Sequence, residues 1–333
     1  MVQAWAALAA GQPLERFEYD PGPLGPEEVE VTVETCGICH SDLSVVRNDW
    51  GISSYPVVPG HEVIGRVAAM GTQAKGLSVG QRVGIGWSAE SCMHCPQCLA
   101  GDGNLCAENV ATIVGHYGGF AGSVRAHWQW VIPVPETLEA RDAGPLLCGG
   151  TTVFAPFHEY DISPTQHVGV VGIGGLGHLA LKFAKAWGCE VTAFTSTDAK
   201  ANEARAFGAH HVVNSRDRDA LRGLARTLDL LLVTVNVTLD WPSMMGMLAP
   251  RGRMHMVGAV IKPMPVIAMD LISGQRSISG SPTAGPLMIA KMLEFSARHG
   301  IAPETEHFPM NQVNEALEHL KAGNARYRIV LDA

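Results

Sequence analysis

V-V-G-I-G-G-L-G, residues 170–177, is the stretch that decides the fold. Gly172, Gly174 and Gly177 spell G-x-G-x-x-G. The motif follows an apolar run, Val168–Val171, and opens Leu176–Trp187, where Leu, Ala and Phe recur at helical spacing. The first glycine permits a tight turn, the second lets a pyrophosphate approach the backbone, and the third lets helix and strand pack closely. Gly175 and Leu176 complete the turn, and all five residues are candidates for cofactor binding. The helix start adds free N–H groups and a positive dipole end. Alone, such a motif is as often a structural glycine turn. Its place between strand and helix favours the phosphate cradle.

Working outward, strand and helix signals alternate on the C-terminal side. Glu190–Thr195 reads as a strand and Ala199–Phe207 as a helix. His211–Asn214, Leu228–Thr234 and Met254–Val257 read as strands, with helical stretches around 217–226 and 241–248. Alternating units of this kind imply a parallel, doubly wound sheet. Thr234, at a strand end, joins the cofactor candidates. On the N-terminal side the chain is β-rich. Glu28–Glu34 is E-V-E-V-T-V-E, a strict period-two alternation, and Val57–Met70 and Gln81–Gly86 read as further strands between glycines. Beyond about residue 285, helices are expected near 286–299 and 311–321, then a strand at Tyr327–Leu331.

The 333 residues suit two domains at ~100–200 residues each. The chain is 47% hydrophobic and 17% charged, enough to bury a core. Its net charge of −8 argues against a nucleic-acid partner. No apolar run reaches the ~18 residues of a membrane span; 168–181 is broken by five glycines and His178. The N-terminal segment lacks the basic residues of a secretory leader. The expectation is a soluble cytoplasmic protein without a membrane partner.

Four of the eight cysteines, Cys92, Cys95, Cys98 and Cys106, fall within fifteen residues. Four thiolates on a short loop suit a closed tetrahedral structural zinc site. An iron–sulfur cluster is the rival, but Cys106 is followed by Ala107 rather than proline. A second set is dispersed: Cys39 in C-G-I-C-H-S-D, His61 and Glu62 in P-G-H-E-V, and Cys148 in P-L-L-C-G-G. Each alone is more often packing. Together they offer two sulfurs, a nitrogen and a carboxylate, as a catalytic zinc requires; alcohol dehydrogenase is the general example of such a Cys2His site.

These motifs, with V-P-G-H-E-V-I-G at 58–65 and N-A-R-Y-R-I-V-L-D at 324–332, run over nearly the whole chain. The sequence resembles the zinc-dependent medium-chain alcohol dehydrogenases, and among them the cinnamyl alcohol dehydrogenase-like aldehyde reductases. The resemblance implies an α/β protein: a GroES-like β-rich catalytic domain, 1–148 with 286–333, and a Rossmann domain, 149–285, with the active site in the cleft between them. It implies reversible hydride transfer between NADP(H), or NAD(H), and an alcohol/aldehyde pair, two zinc ions per chain, and a homodimer or tetramer.

Position by position, the resemblance makes Cys39, His61 and Cys148 the catalytic zinc ligands. Glu62 is the carboxylate that can join the metal. Asp42 orients the ligand imidazole, and Ser41 exchanges a proton with the substrate alcohol. His40 and Thr152 stand beside the cofactor. Cys36 and Cys189 match nothing functional and read as packing. Two departures stand out. Ser44 occupies the place where many relatives carry a relay histidine. Trp87, Ala111, Pro282 and Thr283, at pocket positions, differ from the lignin-pathway enzymes, and Trp87 reads equally as a core aromatic. A catalytically silent NADP-binding relative is the alternative reading, against which the complete ligand set and glycine loop speak.

For the cofactor's ribose, the second Rossmann strand ends at Thr195, followed by Ser196 and Thr197, where NAD enzymes place a carboxylate. Hydroxyls here, with Lys200, favour a 2′-phosphate. Asp198 can act either way, and a polar turn serving both cofactors is the alternative.

Overall fold

The computed structural model describes residues 1–333, apart from the side chain of Asp198, so the role weighed for that carboxylate lies outside the described residues. The chain forms two compact units, Met1–Thr151 with Thr283–Ala333, and Thr152–Pro282.

In the second unit, six strands pair in parallel. Their spatial order is His211–Asn214, Glu190–Thr195, His167–Val171, Leu228–Val233, Leu248–Met256 and Ser277–Gly280. This is the doubly wound Rossmann order, with the switch point between the third and fourth strands of that row. The strands bury Val168, Val170, Val191, Ala193 and Leu230–Val233, which explains their continuous apolar runs. The helix Gly177–Trp187 starts where the glycine turn leaves the sheet at Val171.

The first unit holds a seven-stranded sheet. Its spine is Glu28–Ile38, paired antiparallel with Val63–Met70, Ser123–His127 and Arg328–Asp332. The alternation at 28–34 forms this strand's first half, with Val29, Val31 and Val33 buried. The strand then runs past the alternating pattern to Ile38, because Arg328–Asp332 pairs with its far end and Cys36, Gly37 and Ile38 are buried there.

Two helices carry no clear periodicity in the sequence. His40–Arg47 follows the spine at once, and Gly149–Glu159 contains Pro156. The strand read over 57–70 begins only at Val63; the preceding residues cross the unit as loop, with one bridge from Ala7 to Val57.

Candidate active site

Strand exit and helix start place the first site. The Asp42 carboxylate takes the Cys39 backbone N–H at 2.8 Å and thereby closes the N-terminus of His40–Arg47. Its second oxygen accepts the Gly60 N–H at 2.8 Å and lies 3.1 Å from His61 Nδ1. Asp42 is fully buried, so three bonds anchor one carboxylate. Engaging Nδ1 turns the other ring nitrogen outward as a ligand atom. His61 Nε2 is buried and has no partner. Burial opposes the imidazolium, but Asp42, then Cys39, outweigh it and raise the ring's basicity.

One ligand atom each from Cys39, His61, Glu62 and Cys148 lies within 4.8 Å of the others. Cys148 follows the short helical turn Gly144–Leu147. It hydrogen-bonds to Cys39 and holds that thiol well below its ordinary value against burial, aided by His61 and Arg328. Burial pushes the Glu62 carboxyl up, and Arg328 opposes this by pairing with Glu62 Oε1. Glu62 Oε2 has no partner. Any side chain at Gly37 would overlap the Glu62 carboxylate, which is why C-G-I-C needs glycine there. Two adjacent sulfurs, that of Cys39 held toward the thiolate and that of Cys148 pushed up by its bond to Cys39 and by burial, join an orphaned imidazole nitrogen and an orphaned carboxylate oxygen in a donor set that fits a divalent, thiophilic cation.

The four-cysteine loop is also assembled. The sulfurs of Cys92, Cys95, Cys98 and Cys106 lie within 4.8 Å of one another. Backbone N–H groups of Cys95, Cys98 and Glu108 point at the sulfurs of Cys92, Cys95 and Cys106, at 3.4, 3.5 and 3.3 Å. Amides aimed at sulfur stabilise thiolates, and four sulfurs gathered in this way fit a structural zinc.

Ser41 Oγ lies 3.7 Å from Cys39 Sγ. Ser44 is half-buried one helical turn on, and His40 is exposed. The Trp87 ring stands edge-on to His61, 5.1 Å between centroids, and meets Trp50 at 6.1 Å. Trp87 is half-buried, so it both packs and presents a surface. Ala111 lies on the short strand beside Ser88. Pro282 and Thr283 mark the end of one unit and the resumption of the other. Cys36 and Cys189 are buried, as packing requires.

In the second unit, the Thr234 hydroxyl donates to the carbonyls of Val171 and Gly172, each at 2.9 Å, and pins the glycine turn. A Cβ at Gly177 would overlap the Gly172 carbonyl, whereas one at Gly174 would meet nothing within 4 Å. Gly174 thus leaves open the space in which a pyrophosphate would lie. Gly175 and Leu176 are half-buried in the turn. At the strand end, the buried Thr195 hydroxyl donates to the Thr197 carbonyl at 3.1 Å, while Ser196 and Thr197 are exposed. Lys200 Nζ donates to the Ile173 carbonyl at 3.1 Å, which brings its charge to the glycine turn. Thr152 is buried at the start of the unit.

Residues 25–136 match the alcohol dehydrogenase GroES-like domain family, and residues 175–298 the zinc-binding dehydrogenase family. The chain is 51% identical over 331 residues to aldehyde reductase AdhA of Synechocystis sp., spanning 99% of this chain and 98% of that protein. The chain belongs to the zinc-binding alcohol dehydrogenase family. It is an alcohol/aldehyde oxidoreductase of the cinnamyl alcohol dehydrogenase-like branch. A cinnamyl alcohol dehydrogenase from Sorghum bicolor superposes with a TM-score of 0.95 at 36% identity, covering 99% of this chain and 97% of that one. One from Helicobacter pylori, complexed with NADP(H), superposes at 0.91 with 28% identity, covering 99% and 97%. Among the described residues, no helix is long and apolar enough to cross a membrane. The GroES-like and Rossmann architecture read from the sequence is the one observed.

Arg328, within N-A-R-Y-R-I-V-L-D, is a functional residue that its motif does not mark. Its buried guanidinium pairs with Glu62 and faces the Cys39 sulfur's charge as well. The one available signal was an arginine flanked by the apolar run Ile329–Leu331.

Proposed function

We propose that this enzyme interconverts a primary alcohol and an aldehyde, aromatic or of medium length, by hydride transfer with NADP(H), using one catalytic and one structural zinc. The observation that carries this reading is the set Cys39, His61, Glu62 and Cys148, whose ligand atoms lie within 4.8 Å of one another, with His61 Nε2 buried and unpartnered. Cys39, His61 and Cys148 would hold the catalytic zinc, with Glu62 as the carboxylate able to join it. Cys92, Cys95, Cys98 and Cys106 would hold the other. The first metal supplies a Lewis acid for the substrate oxygen and the nicotinamide supplies the hydride.

The chain's own residues do the rest. Asp42 fixes the tautomer and direction of His61. Arg328 pairs with Glu62 and opposes the burial that pushes its carboxyl up. Ser41 gives the substrate oxygen its proton in reduction and takes it back in oxidation. Ser44, one turn further along the helix, can pass a proton but does not store one, because a hydroxyl does not ionise in the working range. Gly172, Gly174, Gly175, Leu176 and Gly177 would hold the pyrophosphate, with Thr234 bracing their turn. His40 and Thr152 would flank the cofactor. Trp87, Ala111, Pro282 and Thr283 would line the substrate pocket.

The preference for NADP(H) rests on the absence of a carboxylate at Thr195, on the exposed hydroxyls of Ser196 and Thr197, and on the charge of Lys200. The Helicobacter pylori relative bound to NADP(H) supports it. The division 1–148 with 286–333 against 149–285 remains our domain assignment, and we assign the enzyme to the cytoplasm as a homodimer or tetramer.

A steady-state screen of aromatic and aliphatic aldehydes with NADPH and NADH tests the reading. NADPH-dependent reduction with a higher kcat/KM than with NADH is expected, abolished by Cys148→Ser in a folded protein. Thr195→Asp is expected to move the preference toward NADH. Equal turnover in the Cys148→Ser variant, or a preference for NADH in the parent, would reject the assignment concerned.

A further inference from the structure

The strand Leu248–Met256 carries a fully buried histidine between two methionines. His255 Nδ1 lies 2.9 Å from Ser279 Oγ, and Nε2 lies 3.0 Å from Ser281 Oγ. Register pairs His255 with Ser279, so that contact is a lateral one within the sheet. Ser281 is different. The strand Ser277–Gly280 has already ended, and the imidazole reaches past its C-terminal end to hold the chain as it leaves.

The ring is braced from another side. It meets Tyr160 edge-on at 5.4 Å, and the Arg253 guanidinium covers the Tyr160 ring at 3.8 Å. Burial, then Arg253, lower the His255 pKa to about 4, so the ring is neutral at working pH. A neutral imidazole donates through one nitrogen and accepts through the other. The two serines are therefore gripped with opposite polarity, and neither can turn without breaking its bond. An aliphatic residue here would fill the space without a desolvation cost. A buried polar network that closes only with both serines in place fixes geometry more than it adds stability.

Ser281 runs directly into Pro282 and Thr283. Within the first unit, Asn104 Nδ2 donates to the Thr283 carbonyl at 2.9 Å, so the chain is held again as it resumes there.

We propose that His255 is a positioning residue which, through Ser281, sets the path of the chain at Pro282 and Thr283 and thereby the shape of the substrate pocket. The inference rests on the reading above that these two residues line that pocket. It names a specificity role for a side chain that need not touch the substrate.

The test uses the full-length, metal-loaded enzyme and compares His255→Leu, His255→Gln and Ser281→Ala with the parent. A bulky aromatic and a short aliphatic aldehyde serve as substrates. A small displacement of a positioning group can cost up to ~10²-fold, so a change of about tenfold in the selectivity ratio of kcat/KM is expected for His255→Leu and Ser281→Ala. The change should fall chiefly on KM. His255→Gln, which keeps a donor and an acceptor, should recover much of the parent ratio. A merely structural role would instead lower the active fraction, reducing kcat per chain for both aldehydes and leaving KM and the ratio unchanged; that result overturns the proposal. Should His255→Leu fail to fold, Ser281→Ala removes one hydroxyl and decides alone; an unchanged ratio there is equally fatal. Thr283→Val is the control for the underlying reading. If it leaves selectivity untouched, Thr283 does not line the pocket. If it alone alters selectivity, the pocket assignment stands and the His255 inference fails.

Discussion

Arg328 and Glu62 come from opposite ends of the chain, yet both are buried and paired beside Cys39. Removing one partner of a buried pair leaves a bare charge, at about 3–5 kcal/mol. Arg328→Met is therefore expected to lower unfolding stability by that amount, read from denaturant titration of the intact protein. Loss of less than ~1 kcal/mol would mean that solvent or a metal already compensates Glu62. Ser41 makes a kinetic prediction. Its replacement by alanine is expected to cost on the order of 10²–10⁴ in kcat, the range of positioned acid–base groups. Ser44→Ala should be nearly silent, and Ser44→His should add an ionisation to the pH–rate profile. Near-normal kcat for Ser41→Ala, with proton transfer still visible in the solvent isotope effect, would remove Ser41 from the proton path. Cys39, His61 and Cys148 were marked in the sequence only through motifs that resemble the family's, since each alone reads as packing. Arg328 was not, because 266 positions separate it from Glu62 and nothing local marks the pairing.

At the scale of elements, the four-cysteine loop and the strand pair around His255 make separate claims. The loop has few buried residues of its own and its helix, Pro96–Ala100, buries none, so the metal would have to supply its order. Cys95→Ser or Cys98→Ser is expected to lower the thermal midpoint more than Cys148→Ser does, by scanning calorimetry; the reverse order would assign the structural role wrongly. His255 predicts a pH effect. In the unfolded chain a histidine titrates near 6.5, but in the fold this one titrates near 4, lowered by burial and then by Arg253. Its contribution to stability is complete above about 6.5 and drains away as pH falls toward 4. His255→Gln should flatten that acid limb in a series of unfolding midpoints, and an unchanged limb would assign it to other groups. The sequence pattern found elements whose faces alternate, such as Glu28–Glu34. It missed the helix His40–Arg47, whose N-terminus is closed by Asp42, a residue held in place by Gly60 and His61 from elsewhere in the chain.

For the whole molecule, the expected metal content is two zinc ions per chain by elemental analysis, one at each four-donor cluster. One ion, or iron, would overturn the assignment. Composition, the glycine turn and the alternation of strand and helix were sufficient to specify a Rossmann unit beside a β-rich one, because parallel sheets and phosphate turns leave periodic and local marks on a chain. The same holds for the four-cysteine loop, whose four sulfurs lie within one short segment. What only the tertiary structure decided is long-range. It brought Cys39, His61 and Cys148 within reach of one another, set Arg328 against Glu62, stood Trp87 on the His61 ring, and gave His255 its two serines. No periodicity encodes such pairings: they arise when strands distant in sequence settle into register, and register is fixed by the packing of whole faces rather than by any one residue.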